Sequence, residues 1–557
     1  MEEFVKGRNS GMSADKHWYR NAVIYALDVK TFKDSDGNGF GDLKGLISRL
    51  DHLSFLGVTC IWLLPFFPSP LRDNGYDVSD YCDVDPRLGT LHDFEELIKA
   101  ATDRGMKVLI DLVLNHSSIE HPWFKDARKS RDSNYRNYYV WHDDPDHHEV
   151  KVAFDHAEKS VWEYSAETNS YYLHRFYKEQ ADLNLSDPAV RQEILKIMTF
   201  WVKKGVSGFR IDAAHMITDT VDVERTDYGS LHAVFGEMRE CLDALLPDGV
   251  LMGEANVPPA DLNAYFTDEK NRPRMHMLFN FIANKYTMLA FARQQGRALE
   301  KGLDHYAPVR VGHWVNFVRH HDELNTDMLT GSEREEVFAA FAPDENMRAL
   351  HGVRRRLPPM LNNDRRRIEL MYNVVFSLPG TPMLNYGEEI GMGDDLSLKG
   401  RFSGRTPMQW DRSKNGGFSS ADRGDLYVPV IDKGELAYGS VNVEAQRNDP
   451  GSLLHYIKEL VACRKEHPVL GNSRWNVVST NDERSVAILH HGKEETLLVV
   501  HNLSATPITI QLNLDRPIGH AEDAGPWREY DEELDLNQLD LMAYGSRWIK
   551  IMPSAAG

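Results

Sequence analysis

The stretch that decides the fold is KVLIDLVLNH, Lys107–His116, an apolar run that ends in polar side chains. It follows an amphipathic, helix-type segment that closes at Gly105. A second run of the same kind, GFRID (Gly208–Asp212), follows another helix-type segment. Near-continuous apolar strands separated by helices are typical of a parallel sheet with both faces covered. The sequence therefore predicts an α/β fold.

Further strands of this kind lie on both sides of the first two. Together they make eight candidates, the number that a closed (β/α)8 TIM barrel needs. We therefore predict such a barrel, with its functional residues at the C-terminal ends of the strands. The other six candidates are Val23–Val29, Val58–Pro65, Val250–Ala255, Met275–Phe281, Trp314–Val318 and Thr381–Tyr386.

Two regions break the alternation. Residues 117–181 are rich in Asp, His, Tyr and Trp, and we predict an inserted subdomain after the third strand. Residues 471–557 hold short alternating runs such as SVAILHH and TLLVVHNL, which predict a C-terminal antiparallel β-sandwich. The barrel then comprises residues 1–116 and 182–470, with a helical insert at about 326–366.

Composition excludes several classes of protein. The 64 Lys and Arg against 84 Asp and Glu give a net charge of −20, which argues against nucleic acid or an anionic membrane as a partner. No apolar run reaches about 18 residues, so no membrane span is expected. The four cysteines are scattered without a CxxC motif, which favours a reduced, cytoplasmic compartment. Assembly into a homo-oligomer stays open.

Ionisable side chains recur where the predicted strands end. Asp212 follows the fourth strand, Glu254 ends the fifth, and His320-His321-Asp322 follows the seventh. Glycoside chemistry needs one ionised carboxylate to attack the anomeric carbon and one protonated carboxyl to donate to the leaving oxygen. Arg210 lies two residues before Asp212 and so points the same way, where its charge favours the ionised carboxylate. An aromatic ring such as that of Tyr76 would stack on a neutral sugar.

These segments carry a resemblance to a known family. DLVLNH, GFRID, MGEAN and HHD resemble four short sequence regions of the α-amylase family of glycoside hydrolases, and QADLN (Gln180–Asn184) is similar to a fifth. The resemblance implies Asp212 as nucleophile, Glu254 as general acid/base and Asp322 as the third carboxylate. It also implies that three further residues serve the substrate. His116 and His321 would bind the sugar, and Arg210 would orient the nucleophile.

Two motifs resemble a narrower branch that includes α-glucosidases, sucrose isomerases and trehalose synthases. RDNGYDVSDY (Arg72–Tyr81) is similar to the loop that closes the non-reducing end of the pocket in that branch, which implies this role for Asp73 and Tyr76. GRTPMQW (Gly404–Trp410) is similar to a second branch motif, in which Arg405 matches an arginine paired with the Asp73 position. A blind pocket for one terminal glucosyl unit is therefore expected.

A possible metal loop lies between the first strand and helix. Its side chains offer oxygen at alternate positions, which suits a hard cation. The same branch carries such a site, so we expect structural calcium, with magnesium as the alternative and no organic cofactor. A turn without a metal is the competing interpretation. The expected ligands are Asp34, Asp36, Asn38, the carbonyl of Phe40, and Asp42.

The reaction is less closely determined. Segments such as LPGTPMLNYGEEIGMGDD and VNVEAQ resemble trehalose synthases, which implies interconversion of maltose and trehalose. The alternative is an α-glucosidase or transglucosidase acting on disaccharides such as maltose or sucrose. A catalytically inactive sugar-binding subunit is a third hypothesis, opposed by the retained carboxylates. His215, His320 and Ala181 depart from the family pattern and leave the acceptor open.

Three features favour structural interpretations. The basic segment VRRRLPPMLNNDRRRIEL (Val353–Leu370) is interpreted as a solvated charged helix rather than a lid or subunit contact. Phe154 and Phe176 are assigned to core packing rather than to a pocket wall. Cys60, inside an apolar run, is expected to be a buried thiol.

Overall fold

A computed structural model describes residues 15–144, 152–153, 158–218, 231–305, 312–349, 351–514, 520–526, 530 and 534–552. Its largest unit is a closed barrel of eight parallel strands, in which the last strand hydrogen-bonds to the first. The predicted (β/α)8 barrel is confirmed. In chain order the barrel strands are β1 (Ile24–Leu27), β2 (Cys60–Leu63), β3 (Lys107–Leu112), β9 (Gly208–Ile211), β10 (Val250–Gly253), β11 (Met277–Phe279), β12 (His313–Phe317) and β16 (Thr381–Asn385).

The barrel strands are apolar throughout because both faces are buried. Alternate residues point to opposite sides of a strand. Ile24 of β1 and Cys60 of β2 join the core inside the barrel, whereas Tyr25 and Ile61 join the layer between strands and helices. The buried thiol expected at Cys60 is confirmed, and burial raises its pKa.

The helices that cover the barrel begin at residues with capping side chains. Thr90 and Asp93 form a reciprocal capping box at the first of the long helices, and Asp187 caps the helix that starts with Pro188. The α-helices are α1 (Val29–Phe32), α2 (Leu43–Ser48), α3 (Leu50–Leu56), α4 (Leu91–Thr102), α5 (Pro122–Ala127), α6 (Pro188–Lys203), α7 (Ala214–Thr218), α8 (Ala233–Leu245), α9 (Asn263–Phe266), α10 (Phe281–Arg293), α11 (Arg297–Asp304), α12 (Gly331–Phe341), α13 (Leu357–Met360), α14 (Arg365–Ser377), α15 (Val443–Arg447), α16 (Leu453–Glu466) and α17 (Val469–Asn472). None of the described helices is long and apolar enough to cross a membrane.

The insert after the third barrel strand begins earlier than expected. The strand predicted over Lys107–His116 ends at Leu112, and His116 opens a separate strand that pairs antiparallel with the QAD of the fifth family region. The predicted boundary at residue 117 therefore falls inside this strand. The insert contains β4 (His116–Ser118), β5 (Trp141–His142), β6 (Trp162–Ser165), β7 (Ser170–Leu173) and β8 (Gln180–Asp182).

The segment between the seventh and eighth barrel strands holds α12 and three short strands, β13 (Leu324–Asn325), β14 (Arg348–Ala349) and β15 (Gly352–Val353). The solvated helix expected in the following basic segment is wrong for its first half. Arg356 is buried and donates hydrogen bonds to the carbonyl oxygens of Tyr386 at 2.9 Å and Gly404 at 3.0 Å. Its N–H groups thus satisfy two backbone carbonyl groups.

The predicted C-terminal β-sandwich is observed as two antiparallel sheets. Its separate apolar core, which includes Leu498, Ile508 and Leu541, lies between a five-stranded and a two-stranded sheet. The strands are β17 (Arg474–Val478), β18 (Ser485–His491), β19 (Thr496–Asn502), β20 (Ile508–Ile510), β21 (His520–Asp523), β22 (Leu539–Leu541) and β23 (Ser546–Met552).

Candidate active site

A fully buried arginine organises the carboxylates at the barrel mouth. The Nη1 atom of Arg210 donates to Asp111 at 2.8 Å and to Asp212 at 2.6 Å, and its Nη2 atom donates to Glu254. The guanidinium lies over the ring of Trp62, inside the barrel, at 5.0 Å. The barrel interior therefore fixes one cation that in turn fixes three carboxylates.

The backbone after the fourth barrel strand turns sharply. Ala213 has a φ of +43°, a conformation that L residues with a side chain adopt rarely. This turn directs the Ala213 N–H to Glu254 Oε2 at 3.1 Å. Asp212 and Glu254, which follow neighbouring strands, thus share the cavity wall and one hydrogen-bonding partner, Arg210, while Glu254 also accepts from the N–H of the residue after Asp212. Such backbone strain is found at functional sites, where the surrounding structure maintains it.

Asp322 lines the same cavity and pairs with two arginines. Its Oδ1 accepts from Arg405 at 2.7 Å and lies 3.0 Å from Arg401, while its Oδ2 lies 3.2 Å from the Nε2 of His321. Burial raises the pKa of Asp322, but Arg401, His321 and Arg405 outweigh this, so its pKa lies well below the usual range. This third carboxylate is ionised.

The inner end of the cavity is closed by the predicted sugar-binding residues. The Tyr76 ring stacks on the His321 ring with centroids 5.4 Å apart, and its hydroxyl lies 2.7 Å from His321 Nε2. Gln180 connects Asp73 and His116, because its amide nitrogen lies 3.0 Å from Asp73 Oδ2 and 2.9 Å from His116 Nε2. Burial lowers the pKa of His116 to about 4, so this imidazole is neutral.

Two expectations about this end are wrong. In the described part of the chain, Arg405 forms no pair with Asp73 and donates instead to Asp322 and to the carbonyl oxygen of His321. Phe176, expected in the core, lines the cavity with its ring centroid 5.0 Å from that of His116. Phe154, the other phenylalanine assigned to the core, lies outside the described residues.

The cavity itself has a volume of about 320 Å³, at the lower limit of typical small-molecule sites. Asp212, Glu254 and Asp322 line its middle. We call the part around Asp73, Tyr76 and His116 the inner end. The outer end lies on the other side of these three carboxylates and is lined by His215, Asn256, Asp327, Met328 and His351.

Sequence reasoning identified only His215 among these outer residues, as a departure from the family pattern. Asn256 ends the MGEAN segment but was given no role there, and Asp327, Met328 and His351 come from loops that carry no motif. Lys285 supports them from α10, since its buried Nζ donates to the Asp327 carbonyl at 2.6 Å and to Asn256 at 3.2 Å. The only signal in the sequence was an apolar helix carrying a single interior lysine.

The protonation of the central carboxylates is coupled. Burial raises the pKa of Asp212 well above its usual range, and Glu254 and Asp111 add to this against the opposing charge of Arg210. Burial likewise raises the pKa of Asp111 to about 6. One cation faces three carboxylates, so Asp111 and Asp212 ionise less readily than isolated carboxyl groups do.

The predicted metal loop lies apart from the cavity. One carboxylate oxygen from each of Asp34, Asp36 and Asp42 lies within 4.8 Å of the others, the largest separation that two ligands at about 2.4 Å from one calcium ion can have. This oxygen donor set fits a hard cation. Hydrogen bonds also fix the loop. Asp42 accepts from Ser35 within it, and Asp34 accepts at 2.6 Å from the hydroxyl of Ser419, which lies in a distant segment of the chain.

Hydrogen bonds and burial shift the pKa of Asp34 in opposite directions. Burial raises the pKa of Asp34, but the Ser419 hydroxyl and the N–H groups of Gly39, Gly37 and Asp36 outweigh it and lower the pKa. Asp36 and Asn38 are exposed. The lowered pKa keeps the Asp34 carboxylate charged at neutral pH, as cation binding requires.

Two known protein families match parts of this chain. The family described as alpha amylase, catalytic domain, matches residues 24–473, and the sucrose hydrolase-like C-terminal domain matches residues 495–550. The trehalose synthase/amylase TreS of Mycolicibacterium smegmatis is 38% identical over 531 residues, which cover 93% of this chain and 89% of that protein. The trehalose synthase of Thermus thermophilus is 40% identical over 505 residues, covering 90% of this chain and 52% of that protein.

Glucosidases and solved structures are also similar. The oligo-1,6-glucosidase of Bacillus cereus is 30% identical over 574 residues and covers 93% of this chain and 96% of that protein. The crystal structure of Bacillus licheniformis trehalose-6-phosphate hydrolase superposes with a TM-score of 0.77 at 29% identity, covering 96% and 100% of the two chains. The trehalulose synthase MutB of Pseudomonas mesoacidophila MX-45 gives 0.77 at 27% identity, covering 97% and 100%. With a catalytic-domain match over most of its length, the chain belongs to the α-amylase family.

Proposed function

We propose that this enzyme transfers α-glucosyl units with retention of configuration, and that its main reaction interconverts maltose and trehalose. The observation that carries the proposal is the pair Asp212 and Glu254, held by one guanidinium at the middle of a cavity with a closed inner end. A retaining enzyme needs its two carboxyl groups about 5 Å apart. Asp212 and Glu254 bind the same guanidinium, so their carboxyl groups lie close together, as a retaining enzyme requires.

In the first step, an Asp212 oxygen forms a bond to the anomeric carbon of the glucosyl unit in the inner end. The glycosidic bond breaks, and Glu254 gives its proton to the leaving oxygen. As the glucosyl unit becomes positive in the transition state, the ionised Asp322 stabilises it and binds its hydroxyls.

In the second step, the freed glucose stays in the outer end, turns and attacks through its anomeric hydroxyl. Glu254 removes the hydroxyl proton, a glycosidic bond forms, and the ester bond to Asp212 breaks. Water in the same place would release a second glucose instead, so retention of the first depends on how well the outer end excludes water.

Similarity to trehalose synthases at 38–40% identity supports the isomerase over the alternative hydrolase. The α-glucosidase or transglucosidase alternative draws support from oligo-1,6-glucosidases at 30% identity. The two candidates share the inner end and the first step. They differ in whether glucose or water receives the glucosyl unit.

Incubation with maltose distinguishes them. We expect trehalose as the major product with glucose as a minor one, measured by anion-exchange chromatography, and maltose from trehalose in the reverse direction. Glucose without trehalose would refute the isomerase and leave the hydrolase. Asp212→Asn is the negative control for both.

We further propose that calcium, with magnesium as the alternative, binds Asp34, Asp36, Asn38, the Phe40 carbonyl and Asp42. The support is the oxygen donor set and the proximity of three carboxylates. The ion would tie this loop to the segment that contains Ser419, and it takes no part in the reaction. We also propose a cytoplasmic location, for which the support is four free cysteines without a disulfide.

A further inference from the structure

His320 occupies an aromatic cage beside the catalytic carboxylates. Its ring lies among Phe279, Phe281 and Phe317, with centroid distances of 6.1, 5.8 and 5.5 Å. The side chain is 4% exposed, and what exposure it has is to the catalytic cavity.

The hydrogen bonds of His320 define which nitrogen carries a proton. The backbone N–H of Asp322 donates to His320 Nδ1 at 3.3 Å, and Asp322 Oδ2 lies 3.7 Å from the same nitrogen. The shorter contact makes Nδ1 the acceptor, so Nε2 carries the hydrogen. Burial lowers the pKa of this imidazole, which keeps it neutral. Among the residues that the structure describes, Nε2 has no hydrogen-bonding partner, and it is not one of the fully enclosed polar atoms. It is a donor that faces the cavity.

The position of this donor is the border between the inner and outer ends. The charges of Asp322 and Glu254 are the strongest that act on the ring. Phe281, in contact with the ring, also lines the cavity. Because Glu254 protonates the leaving oxygen in the proposed reaction, a donor beside Glu254 meets the sugar that leaves.

We propose that His320 is a specificity-determining residue whose Nε2–H donates a hydrogen bond to a hydroxyl of the leaving-side sugar and retains that sugar between the two steps. The inference rests on the proposed function, since it requires glucosyl transfer through Asp212. It assigns His320 to recognition of the acceptor.

Two substitutions separate this role from a purely structural one. Asn places its amide group near the position of the imidazole Nδ1, and so keeps an acceptor for the Asp322 N–H while removing the distal donor. Gln places an N–H near the position of Nε2 and removes the acceptor. If recognition matters, His320→Gln resembles the wild type and His320→Asn does not.

The experiment measures the disaccharide-to-glucose product ratio from maltose, and kcat/KM for maltose and for 4-nitrophenyl α-glucoside, whose leaving group is not a sugar. Circular dichroism and thermal unfolding of each variant check folding. In His320→Asn we expect the product ratio to fall about 3- to 10-fold, and kcat/KM for maltose to fall about 3- to 10-fold more than kcat/KM for the aryl glucoside, as for one lost hydrogen bond. His320→Gln should stay within about 2-fold of wild type in both measures.

A wild-type product ratio in folded His320→Asn would overturn the inference. Equal losses in both variants and with both substrates would also overturn it, because they indicate a structural role. If the wild type releases only glucose from maltose, the isomerase proposal fails, and His320 is judged by kcat/KM for maltose relative to the aryl glucoside. If neither substrate is cleaved, both proposals fail.

Discussion

The two ends of the cavity are built in different ways. At the inner end, Asp73, Gln180, His116, Tyr76 and His321 are linked by polar contacts of 2.7–3.1 Å, and most of them are buried. This end is a rigid receptor with few degrees of freedom left to lose. Such preorganisation favours one ligand in one orientation, as cleavage of a single terminal unit requires.

At the outer end, contacts come from separate loops and are fewer. His351 lies 3.0 Å from Asp327 through Nδ1 and 3.4 Å from the Ala153 carbonyl of the insert through Nε2, so it joins two parts of the molecule across the opening. Both side chains of the His351–Asp327 pair are 38% exposed. The comparison teaches that donor recognition is fixed, whereas acceptor retention depends on a partly open boundary.

The largest effect is expected where the two ends meet. Asp212→Asn removes the atom that forms the covalent bond, and we expect turnover of maltose and of an aryl glucoside to fall at least about 10⁴-fold. Asp111→Asn is the matched control, since Asp111 binds the same guanidinium but does not line the cavity. A smaller loss in Asp212→Asn than in Asp111→Asn would contradict the assignment of the nucleophile.

Glu254→Gln should separate leaving groups. Loss of a general acid costs about 10²- to 10⁴-fold in kcat. We expect that loss with maltose, whose leaving oxygen needs the proton, and a much smaller one with 4-nitrophenyl α-glucoside, whose leaving group departs as an anion. Steady-state kinetics on both substrates make the test. Equal losses on the two substrates would remove Glu254 from the role of acid.

His351→Gln tests the outer end alone. The substitution weakens the link to Asp327, admits water and should raise the share of glucose among the products several-fold, with cleavage of the aryl glucoside little affected. Asp327→Asn is the matched control, and the double variant should add little to either single one. Unchanged product shares in both variants would mean that this pair does not close the cavity.

The same pair predicts a dependence on pH. The hydrogen bond to Asp327 raises the pKa of His351 above its usual value, whereas Asp327, although burial opposes this, has its pKa lowered by His351 and Asn325. The ion pair therefore holds below the raised pKa of His351 and is lost as pH rises through it. We expect the share of glucose to increase over that rise in the wild type and to stay flat in His351→Gln.

The smallest effect is expected from the loop at Asp34. Removal of bound cations with EDTA should lower the Tm by on the order of 2–4 °C, with recovery on addition of calcium. Because the loop lies apart from both ends of the cavity, the product ratio from maltose should not change. Asp36→Asn should abolish the response to calcium. A Tm that is insensitive to EDTA and calcium would indicate an Asp/Gly turn without a metal.

Several features of the fold and site could be predicted from the sequence. The eight strands could be located because both faces of a barrel strand are buried, which leaves a continuous apolar run in the sequence. Asp212, Glu254 and Asp322 could be identified because they directly follow such runs, and the C-terminal strand ends of a barrel meet at one mouth. The confirmed family resemblance rests on the same short segments.

Other features depend on contacts between distant parts of the chain, so local patterns could not reveal them. Arg405 donates to Asp322 rather than to Asp73. The two residues are 83 positions apart in the chain, so no local pattern reveals their contact. Arg356, in a segment that reads as a charged surface helix, is buried because carbonyl groups of Tyr386 and Gly404 need donors.

The sequence by itself determined the barrel and located the carboxylates and inner-end residues at its mouth, since periodicity and adjacent residues encode them. Only the tertiary structure decided the outer end, where Lys285 of α10 meets Asn256, Asp327 and His351 from different loops. It also decided the orientation of His320, because a single backbone N–H and three phenylalanine rings select which nitrogen faces the cavity.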